Sequence, residues 1–256
     1  PPLHLRMNDD EIPTSLCRPW ASRSVAAFGL ALLVVYALTM PLALLDRDHH
    51  DPWGKRPTVV EEYDHAAATY DVRWAAYANA TASFALASVE PALTALPCED
   101  DCTILDLGCG TGNFAVALRA RHPGWRLICA DSCKLMLREA RRKGLTTTFA
   151  YAEHLPLDNS SVDAVVSLSS LHFWRDREAG LREARRVLRP GGVVFAADWA
   201  ADFVACRLLA AYLHLAGFPS EDADVLTLSR AEGLMRAAGL ELMPGASRLE
   251  LLDGDH

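Results

Sequence analysis

Residues 103–112, TILDLGCGTG, limit what this chain can fold into more than any other stretch. The apolar pentad 103–107 suits a strand buried on both faces, and a helix-prone run to about Arg121 follows the glycines at 108, 110 and 112. Glycines spaced this way allow a tight turn and a close approach of backbone to ligand. The free N–H groups of a helix start then offer hydrogen-bond donors. A strand–turn–helix unit of the nucleotide-binding kind is predicted. The glycines alone leave the ligand open, because Gly110-Thr-Gly-Asn-Phe-Ala115 also satisfies the G-x-G-x-x-G/A dinucleotide pattern. Asp131, at the end of the next predicted strand, suits ribose hydroxyls under either reading.

The rest of the chain from Thr58 alternates helix-prone and strand-like segments. Residues 61–96 are Ala-rich and helical in character, with Pro91 and Pro97 expected to break them. Strands are expected at 103–107, 125–130, 146–151, 162–169 and 193–197, and helices at 113–121, 133–143 and 177–188, the last stopped by Pro190-Gly-Gly192. This alternation implies right-handed crossovers and an α/β fold: a Rossmann-like, doubly wound, mostly parallel sheet with helices on both faces. With 51% hydrophobic and 23% charged residues in 256, the chain can bury such a core.

The N-terminal part differs. Residues 25–45 carry no charge and would reach roughly 31 Å as a helix at about 1.5 Å per residue, enough to cross a bilayer core. The organisation expected is a tail (1–24), a single transmembrane helix (25–45), a linker (46–57) and a catalytic-type domain (58–256). A buried hydrophobic helix is the competing reading of 25–45, and Pro41 would end or kink it. The flanking basic residues favour only slightly a domain on the cytosolic side. His49 and His50 sit among aspartates in the linker but lack further ligands at metal-binding spacing, so no metal site is assigned.

The formal net charge of −8 and the absence of a Lys/Arg run argue against a nucleic-acid partner. Seven cysteines without paired Cys-x-x-Cys spacing read as reduced thiols rather than a disulfide framework.

Four blocks in order, ILDLGCGTGNFA (104–115), ADSCKLMLREA (130–140), AEHLPLDNSSVDAVVS (152–167) and LREARRVLRPGGVVFAAD (181–198), resemble the class I S-adenosylmethionine-dependent methyltransferases. The likeness is to the branch that includes the ubiquinone/menaquinone-biosynthesis enzymes, and it covers about residues 60–245. It implies S-adenosylmethionine as cofactor, with Asp106 and the backbone of Gly108, Cys109, Gly110 and Gly112 near its methionine end. It also implies Asp131 and Ser132 at the ribose, Ala152 and Glu153 beside the adenine, and Ser167 at the end of the fourth strand. Tyr63 and Tyr70-Asp71 resemble the family's helical segment that partly closes over the cofactor. Tyr151 stands where the family often has an acidic residue for the adenine amino group. Cys133 replaces a common serine and reads as a small buried thiol. The family's sheet ends in an antiparallel hairpin, for which residues 240–243 and 248–252 remain.

The resemblance implies methyl transfer to a small-molecule or lipid-like acceptor, and the apolar run at 203–215 lies where relatives cover that acceptor. His172 follows the fourth strand at the sheet's carboxyl edge and is the candidate base. The rival readings are a non-catalytic S-adenosylmethionine-binding membrane protein and a nicotinamide-dependent oxidoreductase.

Overall fold

The computed structural model describes residues 63–64, 66–98, 101–204, 206–208, 211 and 225–242. The proposed transmembrane helix, the histidine pair of the linker and most of the apolar run at 203–215 lie outside them. Among the described residues no helix is long and apolar enough to cross a membrane.

A short helix α1 (Tyr70–Arg73) leads into the long α2 (Ala75–Thr94). Then come β1 (Thr103–Leu107), α3 (Asn113–Arg121), β2 (Arg126–Asp131), α4 (Lys134–Arg142), β3 (Thr146–Phe149), β4 (Val162–Leu168), α5 (Arg177–Val187), β5 (Leu188–Ala197) and α6 (Leu228–Ala237). The strands form one parallel sheet in the order β3-β2-β1-β4-β5. The chain therefore winds outward from β1 through β2 and β3, then returns to the other side of β1 with β4. That reversal opens a crevice beyond the carboxyl ends of β1 and β4, where open α/β sheets bind ligands.

The period-two alternation of strand side chains divides the core between two faces. Ile104, Leu127, Cys129, Ala164 and Val166 pack with Ala85, Val89 and Leu93 of α2 and with Phe114 and Leu118 of α3. Leu105, Leu107, Ala130, Val162 and Val165 pack on the other side with Ala184 and Val187 of α5. All five residues of β1 are buried, as its unbroken apolar character requires of a central parallel strand.

Four sequence expectations are corrected. Pro91 lies inside α2 instead of breaking it. The carbonyl that loses its partner to a proline at 91 is that of Ala87, on the exposed side, where water can serve it. The fifth strand starts at Leu188 and not at Val193, so Pro190-Gly191-Gly192 lies within it, at a register shift opposite Val162–Ala164. A Cβ at Gly192 would come within 2.7 Å of the Asp163 carbonyl oxygen, so the shift needs a glycine there. Cys98 and Cys102 are joined by a disulfide in the turn before β1, contrary to the expectation of reduced thiols. Residues 240–242 form no strand, and the rest of the expected closing hairpin lies outside the described residues.

At the amino edge of the sheet, Asp163 Oδ2 accepts from the Thr103 backbone N–H at 2.7 Å and from Arg189 Nη1 at 2.6 Å, tying β1, β4 and β5 together. Asp163→Ala should lower the unfolding free energy by about 2–3 kcal/mol, because a buried N–H and a guanidinium lose a charged acceptor. Urea denaturation measures this. Cofactor affinity should stay unchanged, since the contact lies at the edge opposite the crevice.

Candidate active site

The turn after β1 is held from below. Gly108 and Cys109 both donate their N–H groups to Ala130 O on β2, at 2.8 and 3.1 Å, and Gly112 donates to Cys109 O at 2.9 Å. Gly108 adopts φ +76°, and a Cβ on it would fall 1.9 Å from Ser170 Oγ, so the loop after β4 packs directly on the glycine turn. Gly110, at φ +52°, differs: a Cβ there would meet nothing within 4 Å. The space above Gly110 is open to a ligand.

Two carboxyls flank this turn. Asp131 Oδ2 accepts from Gly110 N and its Oδ1 from Cys133 N, both at 2.8 Å. Burial raises the carboxyl's pKa, while the backbone N–H groups of Cys133, Gly110 and Ser132 act against that rise. An ionised carboxylate offers about four acceptor positions, so room remains for a ribose hydroxyl. Asp106 is more deeply placed, only 4% exposed. Burial and, secondarily, the charge of Asp131 push its pKa up to about 7, opposed by a hydrogen bond from the Ala115 backbone. Its Oδ2 has no hydrogen-bond partner. A buried acceptor left unpaired is rare enough to call for a missing donor, and a cationic amino group fits it.

Ser167 is also buried with an unpartnered Oγ. By strand alternation it shares the face of Leu105 and Val165, whereas Asp106 shares that of Ile104 and Val166. The two therefore do not converge on one point. Cys109 is a half-buried thiol whose pKa is raised well above its ordinary value by desolvation, beside Cys129, Asp131 and Asp106, which disfavours the thiolate. Cys133 caps α4: its sulfur accepts from Met136 N and contacts Asp64 Oδ1 at 3.0 Å. Burial and Asp64 push that thiol up to about 12.

Ala152 is buried, while Tyr151 is 44% exposed, edge-on to Phe149 at 5.7 Å and with the Arg175 guanidinium 6.0 Å from its ring centre. Glu153 Oε1 accepts from the Asp176 backbone N–H at the start of α5. That oxygen is directed to the helix start.

The segment before α2 closes against this edge. Tyr63 meets Phe173 edge-to-face at 5.5 Å and Tyr70 at 6.1 Å, and both tyrosines pack on the cluster of Ala67, Cys133 and Met136. Asp71 clasps the glycine turn. Its Oδ1 accepts from Thr111 Oγ1 at 2.6 Å and Asn113 Nδ2 at 3.1 Å, and its Oδ2 pairs with Lys143 Nζ at 2.6 Å. Burial raises the Asp71 carboxyl, but the hydrogen bonds from Lys143, Thr111 and Asn113, with the lysine's charge, outweigh it and leave the pKa below its ordinary value.

His172 lies in a 3₁₀ turn (Leu171–Phe173) just after β4 and is 7% exposed. Its Nδ1 is 2.6 Å from Asp198 Oδ1, and its backbone N–H donates to Asp198 Oδ2 at 3.0 Å. Asp71 and Asp198 were not assigned as site residues from sequence. Asp198 closes the last of the four blocks, directly after an apolar strand, and that position was the available signal.

Among the described residues no cluster of His, Cys, Asp and Glu could hold a metal. Residues 105–196 match the family described as a methyltransferase domain. The malonyl-[acyl-carrier protein] O-methyltransferase of Xylella fastidiosa is 31% identical over 138 residues, 49% of this chain and 47% of that protein. The demethylmenaquinone methyltransferase of Thermus thermophilus is 41% identical over 95 residues, covering 35% of this chain and 43% of that one. The chain thus spans about half the length, or less, of the curated relatives it matches. A solved S-adenosylmethionine-dependent methyltransferase from Thermotoga maritima shares the fold with a TM-score of 0.57 at 24% identity, over 70% of this chain and 80% of that one. Residues 105–196 thus match a methyltransferase domain in sequence, and the sheet they belong to has the fold of that solved structure.

Proposed function

We propose that this chain transfers the methyl group of S-adenosylmethionine to a small-molecule or lipid-like acceptor. The observation that carries the reading is the unpartnered, buried Asp106 Oδ2 beside an open glycine turn. When bound, the cofactor supplies a sulfonium-activated methyl group, whose bond to sulfur breaks with its electron pair left on sulfur as the acceptor's pair bonds the carbon.

The protein's part is to bind, orient and exclude water. Asp106 offers an acceptor to the cofactor's ammonium group, and Asp131 shares its remaining lone pairs with the ribose. Tyr63, Tyr70 and Phe173 form an apolar cover at the same edge, which limits water at the reacting atoms. Such positioning can contribute up to about 7–11 kcal/mol to the barrier reduction. His172 is the group placed to take a proton from an acceptor that must lose one.

Residues 25–45 are part of the proposal. Their 21 uncharged positions support a membrane anchor, with the catalytic domain on the side where the cofactor is made. Sodium carbonate extraction should leave the full chain with membranes, and its release would refute the anchor.

Calorimetry should show binding of S-adenosylmethionine and none of NAD. Gly110→Val should weaken that binding roughly tenfold or more, since a β-branched residue at φ +52° costs about 1–2 kcal/mol and fills the open space. Tight NAD binding without a response to S-adenosylmethionine would refute the reading.

Binding should also depend on pH with a known sign. The Asp106 pKa is raised to about 7 in the free protein, so below that pH the carboxyl is protonated and must ionise before it pairs with a cation. Affinity should therefore be flat above pH 7 and fall as pH drops, approaching about tenfold per unit. Asp106→Asn should bind more weakly and lose this slope, as read by titration between pH 5.5 and 8.

A further inference from the structure

Asp198 does more than fasten one loop. Its carboxyl receives three donors: Trp199 N at 2.7 Å and His172 Nδ1 at 2.6 Å on Oδ1, and His172 N at 3.0 Å on Oδ2. A carboxylate is acceptor-only, so a neutral imidazole beside it carries its proton on Nδ1. The backbone bond from the same histidine fixes the ring's position relative to that carboxylate, and Phe173 packs on the ring at 3.8 Å. Among the described residues Nε2 has no hydrogen-bond partner. The segment carries two cations: Arg177 donates to the carbonyl oxygens of Leu171 and His172 at 3.1 and 2.9 Å, and the Arg175 guanidinium lies 6.0 Å from the Tyr151 ring centre.

We infer that Asp198 is a positioning residue that locks His172 in the Nδ1–H tautomer, leaving Nε2 as the basic nitrogen, and that the methyl acceptor is accordingly a neutral protic group and not a carboxylate. The inference rests on the methyl transfer proposed above. In the step it describes, the acceptor's O–H or N–H bond breaks, the proton passes to Nε2, and the pair left on the acceptor atom bonds the methyl carbon. The imidazolium, stabilised by the Asp198 carboxylate, then gives the proton to solvent. A carboxylate acceptor is already ionised and needs no base. Asp106, Asp131 and Asp198 are acids close to this edge, while Arg177 is turned to backbone carbonyls and Arg175 to the Tyr151 ring, so the surroundings favour a neutral acceptor over an anionic one.

The first half of the test needs no acceptor. Protein with isotope-labelled histidine nitrogens is studied by multiple-bond proton–nitrogen correlation at a pH where the ring is neutral, and His172→Gln assigns the signal. The wild type should show Nδ1 protonated and Nε2 bare. Asp198→Asn, checked for cooperative unfolding, should show mixed tautomers because its amide can present either oxygen or NH₂. A proton on Nε2 in the wild type, or an unchanged ring in Asp198→Asn, overturns the positioning role.

In the second half, methyl-labelled S-adenosylmethionine and the full chain are added to membrane and soluble extracts. Label should enter an alkali-stable product, and Asp198→Asn should slow its formation by about 10²-fold or more at nearly unchanged cofactor affinity. Label released by mild alkali as methanol marks a methyl ester and overturns the inference about the acceptor. If no product forms while the tautomer is as stated, methyl transfer itself fails and the positioning of His172 by Asp198 stands.

Discussion

The Asp131 carboxylate joins two strand-to-helix junctions that would otherwise be independent. One oxygen holds Gly110 in the turn after β1, and the other holds Cys133 at the start of α4. The parallel register makes this possible by setting Leu107 beside Ala130, so that both strands end at the same level. Burial raises the Asp131 pKa, and three backbone N–H groups act against that rise without cancelling it. The turn is thereby shaped before any ligand arrives, and the clasp from Asp71 to Thr111, Asn113 and Lys143 fixes its other side. Preorganisation of this kind removes ordering cost from binding.

The sheet was legible because its strands are local and their signal is strong. Residues 103–107 and 162–168 are near-continuous apolar runs between turn formers, and both became central parallel strands. Where the expectation failed, the deciding partner lay elsewhere in the chain. Pro91 survives in α2 because its orphaned carbonyl sits on the solvent side, a fact set by which face of α2 packs on Phe114 and Leu118. Pro190-Gly-Gly192 reads as a helix stop, yet Gly192 is shaped by the Asp163 carbonyl on the neighbouring strand. The Cys98–Cys102 bond follows from a turn geometry that spacing alone does not specify.

The same division holds at the site. The glycine turn, Asp106 and Asp131 belong to short motifs whose chemistry is carried by spacing, and the sequence places them correctly at the carboxyl edge of β1 and β2. Asp71 and Asp198 act through partners 40 and 26 positions away, which no periodicity encodes. Glu153 follows Ala152, which the family resemblance sets beside the adenine, and its Oε1 accepts from the Asp176 backbone N–H. The residue sits in a tight turn closed by the His154 N–H on Tyr151 O at 3.0 Å, a geometry that its position in the sequence does not specify.

The glycines alone left two ligands open, and the backbone donors separate them. A dinucleotide turn presents free N–H groups at a helix start to a pyrophosphate anion. Here the N–H groups of Gly108 and Cys109 go to Ala130 O, that of Gly110 to Asp131, that of Gly112 to Cys109 O and that of Ala115 to Asp106. What the turn presents instead is an acceptor, the unpaired Asp106 oxygen, with a second carboxyl close enough to raise its pKa. Two acidic groups repel a pyrophosphate and attract a cation, so the same glycine spacing suits an ammonium- and sulfonium-bearing ligand when these five amides are turned inward.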